Sequence, residues 1–422
     1  MDDGRIRFLL FTGGILLILN LYVFQAIKTA VKNKSKRVKN GISIYYWGLT
    51  ALIIFGIYYS QFYAKTGIIR NSVTVLYFVM VISELFVIPF LLVDDIRRSF
   101  IFFKNKITKR LRSATDPVTH ATKEATLSRS EFLSKAGLIV AAVPFSITNF
   151  GMLTGAYDYK IRRVPLILPN LPSQFSGLKI IQISDIHSGS FYDKKAVMAG
   201  VEMLMKEKAD AIFFTGDLVN DKAKEMIDYQ DIFSKVKAPM GVYSVTGNHD
   251  YGDYSWWPND AKKAKNFEDL KTTHANMGWN LLMNDHKLLT IGGESIAILG
   301  IENWGAAGRF PKYGKMDLAK KGTEDAAVKL LLSHDPSHWN AKITKEHVDI
   351  DAMFAGHTHG MQFGFQFGNL QWSPVQYMYP EWAGLYKNNH QQLYVNVGYG
   401  FIGYPGRVGI LPEITVFELK KA

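Results

Sequence analysis

Residues 179–187 read KIIQISDIH, an apolar run that stops at a serine and then delivers an aspartate and a histidine two apart. The pattern returns four times. Residues 211–217 read AIFFTGD, 241–250 read GVYSVTGNHD, 329–335 read KLLLSHD, and 350–359 read IDAMFAGHTH. Runs of this length, rich in Ile, Val and Phe and closed by small residues, predict buried strands. Residues 196–208 predict an amphipathic helix between the first two strands. The polar blocks therefore fall at the carboxyl ends of strands, where α/β sheets build their sites.

Taken singly these residues say little. An Asp after a strand is commonly a turn or cap residue. Of the 11 histidines, His120, His274, His286, His338, His347 and His390 are expected to be ordinary core or surface groups. It is the order of the blocks that is specific: D-x-H, G-D, G-N-H-D, a lone H, then G-H-x-H. That order resembles the calcineurin-like metallophosphoesterases over roughly residues 175–415. The closing segment, with Gly406-Arg407 and Pro412-Glu413-Ile414, is similar to a membrane-associated bacterial branch that includes the transmembrane UDP-2,3-diacylglucosamine hydrolases.

The resemblance implies a fold and a site. The fold is an α/β domain, a four-layer α/β/β/α sandwich of two mixed sheets, placed after amino-terminal transmembrane helices. Asp185, His187 and His359 would hold one metal, Asn248, His334 and His357 a second, and Asp217 would bridge them. A hydroxide bridging the metals would attack phosphorus. His249 would act as general acid, with Asp250 orienting its imidazole. These residue types suit the chemistry, because carboxylate, amide oxygen and imidazole accept Mn, Zn, Fe or Mg alike. Two cations can supply a nucleophile and neutralise a phosphoryl group. Monoesterase, diesterase and pyrophosphatase activities all remain open, as does the oligomeric state.

The rest of the chain sets the surroundings. With no cysteine among 422 residues, disulfides, thiolate ligands and a Cys nucleophile are excluded. A net charge of +12 would ordinarily raise nucleic-acid binding. The excess lies between hydrophobic segments, however, so no nucleic-acid partner is expected. Segments 8–27, 44–63 and 73–93 meet the spanning length of about 20 residues, and 136–155 is a weaker fourth. The expected organisation is three spans over 1–95, a basic cytoplasmic linker over 96–135, a fourth span over 136–155 and a catalytic domain over 160–422. Lysines and arginines crowd the first and third loops, which the positive-inside rule makes cytoplasmic. The amino terminus and, if the fourth segment spans, the catalytic domain then lie outside an inner membrane. Residues 128–135, SRSEFLSK, are similar to a twin-arginine export signal with Ser130 in place of the second arginine. A charged linker is the alternative, and it would leave the domain cytoplasmic. Glu84, inside the third segment, shows no partner in the sequence.

Substrate contacts are expected from three places. Trp256 and Trp257, in the loop after Asp250, would stack on a substrate or enter the headgroup layer, or simply pack their own loop. Trp372, Tyr377, Tyr379 and Trp382 would meet a lipid-linked phosphoester. Arg407 would contact phosphate in a bidentate fashion, or be a plain surface residue. A rival to the enzyme is a membrane sensor binding a phosphorylated ligand without turnover, although such a protein would be expected to lack ligands and none is missing.

Overall fold

The computed structural model describes residues 3–63, 67–111, 129–307, 310–367 and 370–422. These form two compact units, Met1–Asn149 and Phe150–Ala422. The first contains helices α1 (Asp3–Ala30), α2 (Lys36–Phe62), α3 (Gly67–Leu111) and most of α4 (Arg129–Phe150). Four helices, including a span over Ser130–Gly155, are long and apolar enough to cross a membrane. α3 runs well past the expected 73–93 segment and takes in the start of the expected linker, of which residues 112–128 lie outside the described residues. Of the twin-arginine-like stretch, Ser128 is outside them and the remainder forms the first turns of α4. There Ser130 Oγ donates to Asp94 Oδ2 at 2.6 Å, and Glu131 pairs with Lys32 and Lys135.

Glu84 does have a partner. The Tyr46 hydroxyl donates to its Oε1 at 2.7 Å, and Thr50 Oγ1 donates to Asn20 Oδ1 at 3.0 Å nearby. Polar groups on three helices thus bond to one another where lipid offers nothing.

The second unit is built on two six-stranded sheets. The first contains β1 (Lys160–Leu168), β2 (Lys179–Ile183), β3 (Ala211–Phe214), β4 (Val242–Ser244), β5 (Asn280–Leu281) and β14 (Glu413–Lys421), in the order β1-β14-β2-β3-β4-β5. The second contains β6 (Asp285–Ile291), β7 (Glu294–Gly300), β8 (Val328–Leu332), β9 (Ala352–Ala355), β12 (Gly384–Asn388) and β13 (Gln391–Val395), in the order β12-β13-β9-β8-β7-β6. β2, β3 and β4 run parallel, as do β7, β8, β9 and β13, while β14–β2, β6–β7 and β12–β13 are antiparallel. Both sheets are therefore mixed.

The period of two sorts the strand residues. Ile180, Phe213, Leu330 and Phe354 point between the sheets into a common core. Ile181, Ile212 and Phe214 point outward under the helices of the first sheet, as do Leu331 and Met353 on the second. Because β2, β3, β8 and β9 are covered on both faces, they read as continuous apolar runs rather than alternating ones. The helix expected over 196–208 spans Lys194–Lys206, capped by Asp193. A separate two-stranded hairpin, β10 (Phe365–Phe367) and β11 (Leu370–Trp372), leaves the domain beyond β9.

Candidate metal centre

All five polar blocks meet at one end of the paired sheets. Asp185 and His187 follow β2, Asp217 follows β3, Asn248 and His249 follow β4, His334 follows β8, and His357 and His359 follow β9. Two donor groups result, Asp185 with His187 and His359, and Asp217 with His334 and His357, each with its ligand atoms within 4.8 Å of one another. Asp217 Oδ2 stands 3.5 Å from His187 Nε2 and 3.1 Å from His334 Nε2, so one carboxylate oxygen touches a histidine of each group.

The backbone is forced to serve this geometry. Asp185, His187, Asp217, His357 and His359 all have left-handed φ, between 48° and 73°. Non-glycine residues resist that region at a cost of order 1 kcal/mol or more each. Main-chain bonds hold the turns: His357 N donates to both Asp185 oxygens at 3.0 Å, and His249 N donates to Asp217 Oδ1 at 2.9 Å.

The donor set fits divalent cations. Buried polar atoms are almost always paired, yet His187 Nδ1 and Nε2, His334 Nε2, His359 Nε2 and Asn248 Oδ1 have no hydrogen-bond partner. Several are oriented from behind. His334 Nδ1 bonds the Thr215 carbonyl at 2.7 Å, which presents Nε2 to the site. Asn248 Nδ2 donates to Tyr254 Oη at 3.0 Å, which turns Oδ1 inward. His357 Nε2 is engaged by the Tyr379 hydroxyl at 2.8 Å.

The electrostatics agree. Burial opposes a charge on Asp185 and on Asp217, but the neighbouring histidines hold both carboxyls below the usual range. Burial likewise opposes charge on His334, and the Asp217 carboxylate outweighs it, carrying the pKa up to about 10. A site that holds a proton this firmly is one that a cation can take over.

Comparison with known proteins agrees with both units. Residues 178–361 match the calcineurin-like phosphoesterase family, and residues 6–156 match a family described as the transmembrane domain of a probable calcineurin-like phosphoesterase. The chain is a calcineurin-like metallophosphoesterase with an amino-terminal four-helix transmembrane domain. The phosphoesterase is 26% identical over 431 residues to a "Transmembrane protein with metallophosphoesterase domain" of Danio rerio, covering 99% of the chain and 90% of that relative. It is 28% identical to the uncharacterized metallophosphoesterase YkuE of Bacillus subtilis, over 59% of the chain and 82% of the relative. A Helicobacter pylori metallophosphoesterase is also 28% identical, over 64% of the chain and 66% of the relative. Fish as well as bacteria contain such relatives, so the architecture assigns the phosphoesterase to no bacterial branch.

Three neighbouring residues with expected roles sit as follows. Asp250 does not touch the His249 imidazole. Its carboxylate accepts from the main-chain N–H of Gly247, Asp217 and Leu218 at 2.9–3.0 Å, and burial together with Asp217 pushes its pKa up to about 7. The imidazole is oriented instead by the Asn220 carbonyl, 2.7 Å from Nδ1. Arg407 is not a phosphate contact. It is 1% exposed, and its guanidinium is occupied by the carbonyls of Val397, Gly400 and Ile410. Trp257 packs its own loop, donating Nε1 to the Gly252 carbonyl at 2.7 Å with Lys222 Nζ 5.0 Å over its ring. Trp256 is exposed. Tyr254 of that loop lies against the site, its ring 4.5 Å from that of His249. On sequence a tyrosine in that loop is outweighed by the paired tryptophans. Of the later aromatics, Tyr379 reaches the site, Trp382 is buried, and Tyr377 is exposed.

Proposed function

We propose that this phosphoesterase works with two divalent cations, as a phosphodiesterase or pyrophosphatase on lipid-linked phosphoesters, with its catalytic unit outside an inner membrane. The observation that carries the binuclear reading is Asp217 Oδ2, placed between His187 and His334 of the two donor groups. Asp185, His187 and His359 would hold one cation, Asn248, His334 and His357 the other, with Asp217 shared. When bound, such cations neutralise phosphoryl oxygens and provide a nucleophile at neutral pH. The chain's own contribution is to orient and to move a proton. His249, fixed through Nδ1, keeps Nε2 for proton transfer to the leaving oxygen. Tyr254 and the exposed Trp256 offer aromatic surface beside it.

The four spans and the basic first and third loops support the outward orientation. That orientation favours lipid-linked diphosphates of the outer leaflet. UDP-2,3-diacylglucosamine fits only a cytoplasmic domain, since UDP-linked intermediates belong to that side. Full-length wild type and Asp217→Asn, purified in detergent, would be assayed on bis(p-nitrophenyl) phosphate with Mn²⁺ and with chelator, then on lipid diphosphates and nucleotide sugars. Metal-dependent release by wild type and its loss in the variant are expected. Release indifferent to chelator would refute the two-cation reading, and a reporter fused at residue 160 gives the side.

A further inference from the structure

The β10–β11 hairpin is built inside out. Phe365 pairs with Trp372 and Phe367 with Leu370, so these four side chains share one face of the ribbon. That face is turned to solvent, with Phe367 84% and Leu370 65% exposed. The opposite face carries Gln366 and Gln371, and it is the one turned to the protein: Gln366 bonds Arg162, and Gln371 Nε2 donates to the Ala383 carbonyl at 3.3 Å. A ribbon in water buries its apolar face and exposes its polar one. An exposed apolar patch of this kind marks a surface that meets something apolar.

The chain path identifies what it meets. The last residues of the span Ser130–Gly155 belong to the second unit. Phe150 and Leu153 there are exposed too. Gly151 accepts from Arg407 N at 3.2 Å, and a Cβ on it would press on Val408. Val408 in turn exchanges main-chain bonds with the hairpin root, Val408 N to Gln362 O at 2.8 Å and Gly364 N to Val408 O at 2.9 Å. One short segment thus holds both the end of a membrane span and the base of the apolar hairpin. The other strand is tied to the ligand turn, Ser373 Oγ donating to Gly360 O at 2.8 Å, next to His359.

We infer that the β10–β11 hairpin is a bilayer-contact element, the face of Phe365, Phe367, Leu370 and Trp372 entering the lipid interface beside the metal centre. This goes beyond the proposed reaction and does not depend on it.

The chain has no cysteine, so single labels can be introduced cleanly. Full-length Phe367→Cys, Leu370→Cys and, as control, Ile227→Cys, also well exposed at 77%, would each be labelled with a polarity-sensitive fluorophore. Each would be reconstituted in phosphatidylcholine–phosphatidylglycerol vesicles with and without nitroxide-labelled phosphatidylcholine. Blue-shifted emission quenched by the nitroxide at 367 and 370, but not at 227, is expected. Labels at 367 and 370 that emit as in water, or all three sites quenched alike, would overturn the inference. Because the readout is optical, an inactive preparation still decides it.

Discussion

Nη2 of Arg407 lies 3.3 Å from Nδ1 of His359 and also donates to the carbonyls of Val397 and Gly400, while Nε donates to Gly400 and Nη1 to Ile410. Burial lowers this arginine only to about 10, so it stays charged at neutral pH. It is a positioning residue, shaping the turn behind Asp185 and His359 without reaching a substrate. Arg407→Met would strand several buried carbonyls, at a cost of about 3–5 kcal/mol. That corresponds to a fall in melting temperature on the order of 10 °C. Metal affinity should drop by about 10–100-fold, as for other groups that orient ligands. Arg407→Lys should rescue little, because an ammonium cannot span the same acceptors. Thermal unfolding in detergent and metal titration calorimetry check this, and unchanged metal affinity in Arg407→Met would show that His359 needs no such support.

His249 and Asp250 are neighbours in sequence with separate tasks. His249→Ala removes a proton donor together with its bond to the Asn220 carbonyl. Turnover should fall by about 10²–10⁴-fold while both cations still bind. Asp250→Ala instead releases main-chain N–H groups of two ligand turns, so unfolding and metal loss should accompany any loss of rate. Metal content by mass spectrometry beside kcat separates the two, and metal loss in His249→Ala would contradict the division.

The residues of the two donor groups were legible in the sequence because strands announce themselves by apolar runs, and Asp and His at strand ends have few other reasons to recur in that order. What was not legible came from tertiary structure. The left-handed φ of Asp185 and His357 carries no compositional mark, since strain is imposed by the packing that outweighs it. The Asn220 carbonyl that orients His249 belongs to the backbone and could be any residue type. Arg407 in a Gly-rich turn looks the same on paper whether it faces phosphate or carbonyls. Glu84 and Tyr46 lie on different helices, and sequence separation hides such a pair.

His274 should give the catalytic unit an acid-sensitive stability. It is fully buried on the helix Asp260–Met277, with Nδ1 3.0 Å from Ser244 Oγ. Burial pushes its pKa down to about 3. An unfolded chain would take up a proton near pH 6.5, whereas the folded one would not until near pH 3. Stability is therefore intact above pH 6.5 and declines as pH falls through that window. His274→Gln should flatten the dependence of melting temperature on pH between 6.5 and 4 relative to wild type. Parallel curves for the two proteins would mean that this imidazole contributes nothing to acid sensitivity.

Two glycine-to-alanine changes separate space from strain. Gly356 has no left-handed φ, but a Cβ on it would overlap Ser184 Oγ and Asp185 Oδ2. The added methyl group must push Asp185 off its place, and a shift near 1 Å at a catalytic centre can cost about 10²-fold in rate. Overpacking adds about 1–3 kcal/mol of instability. Gly278 is the reverse case: it caps the helix Asp260–Met277 at φ 77° with nothing within 4 Å of its Cβ. Gly278→Ala should cost about 1 kcal/mol through backbone strain and leave rate and metal content alone. Measuring kcat and melting temperature for both variants tests the contrast. A Gly356→Ala enzyme of normal rate would mean that Asp185 tolerates displacement, and its place among the metal ligands would then have to be given up.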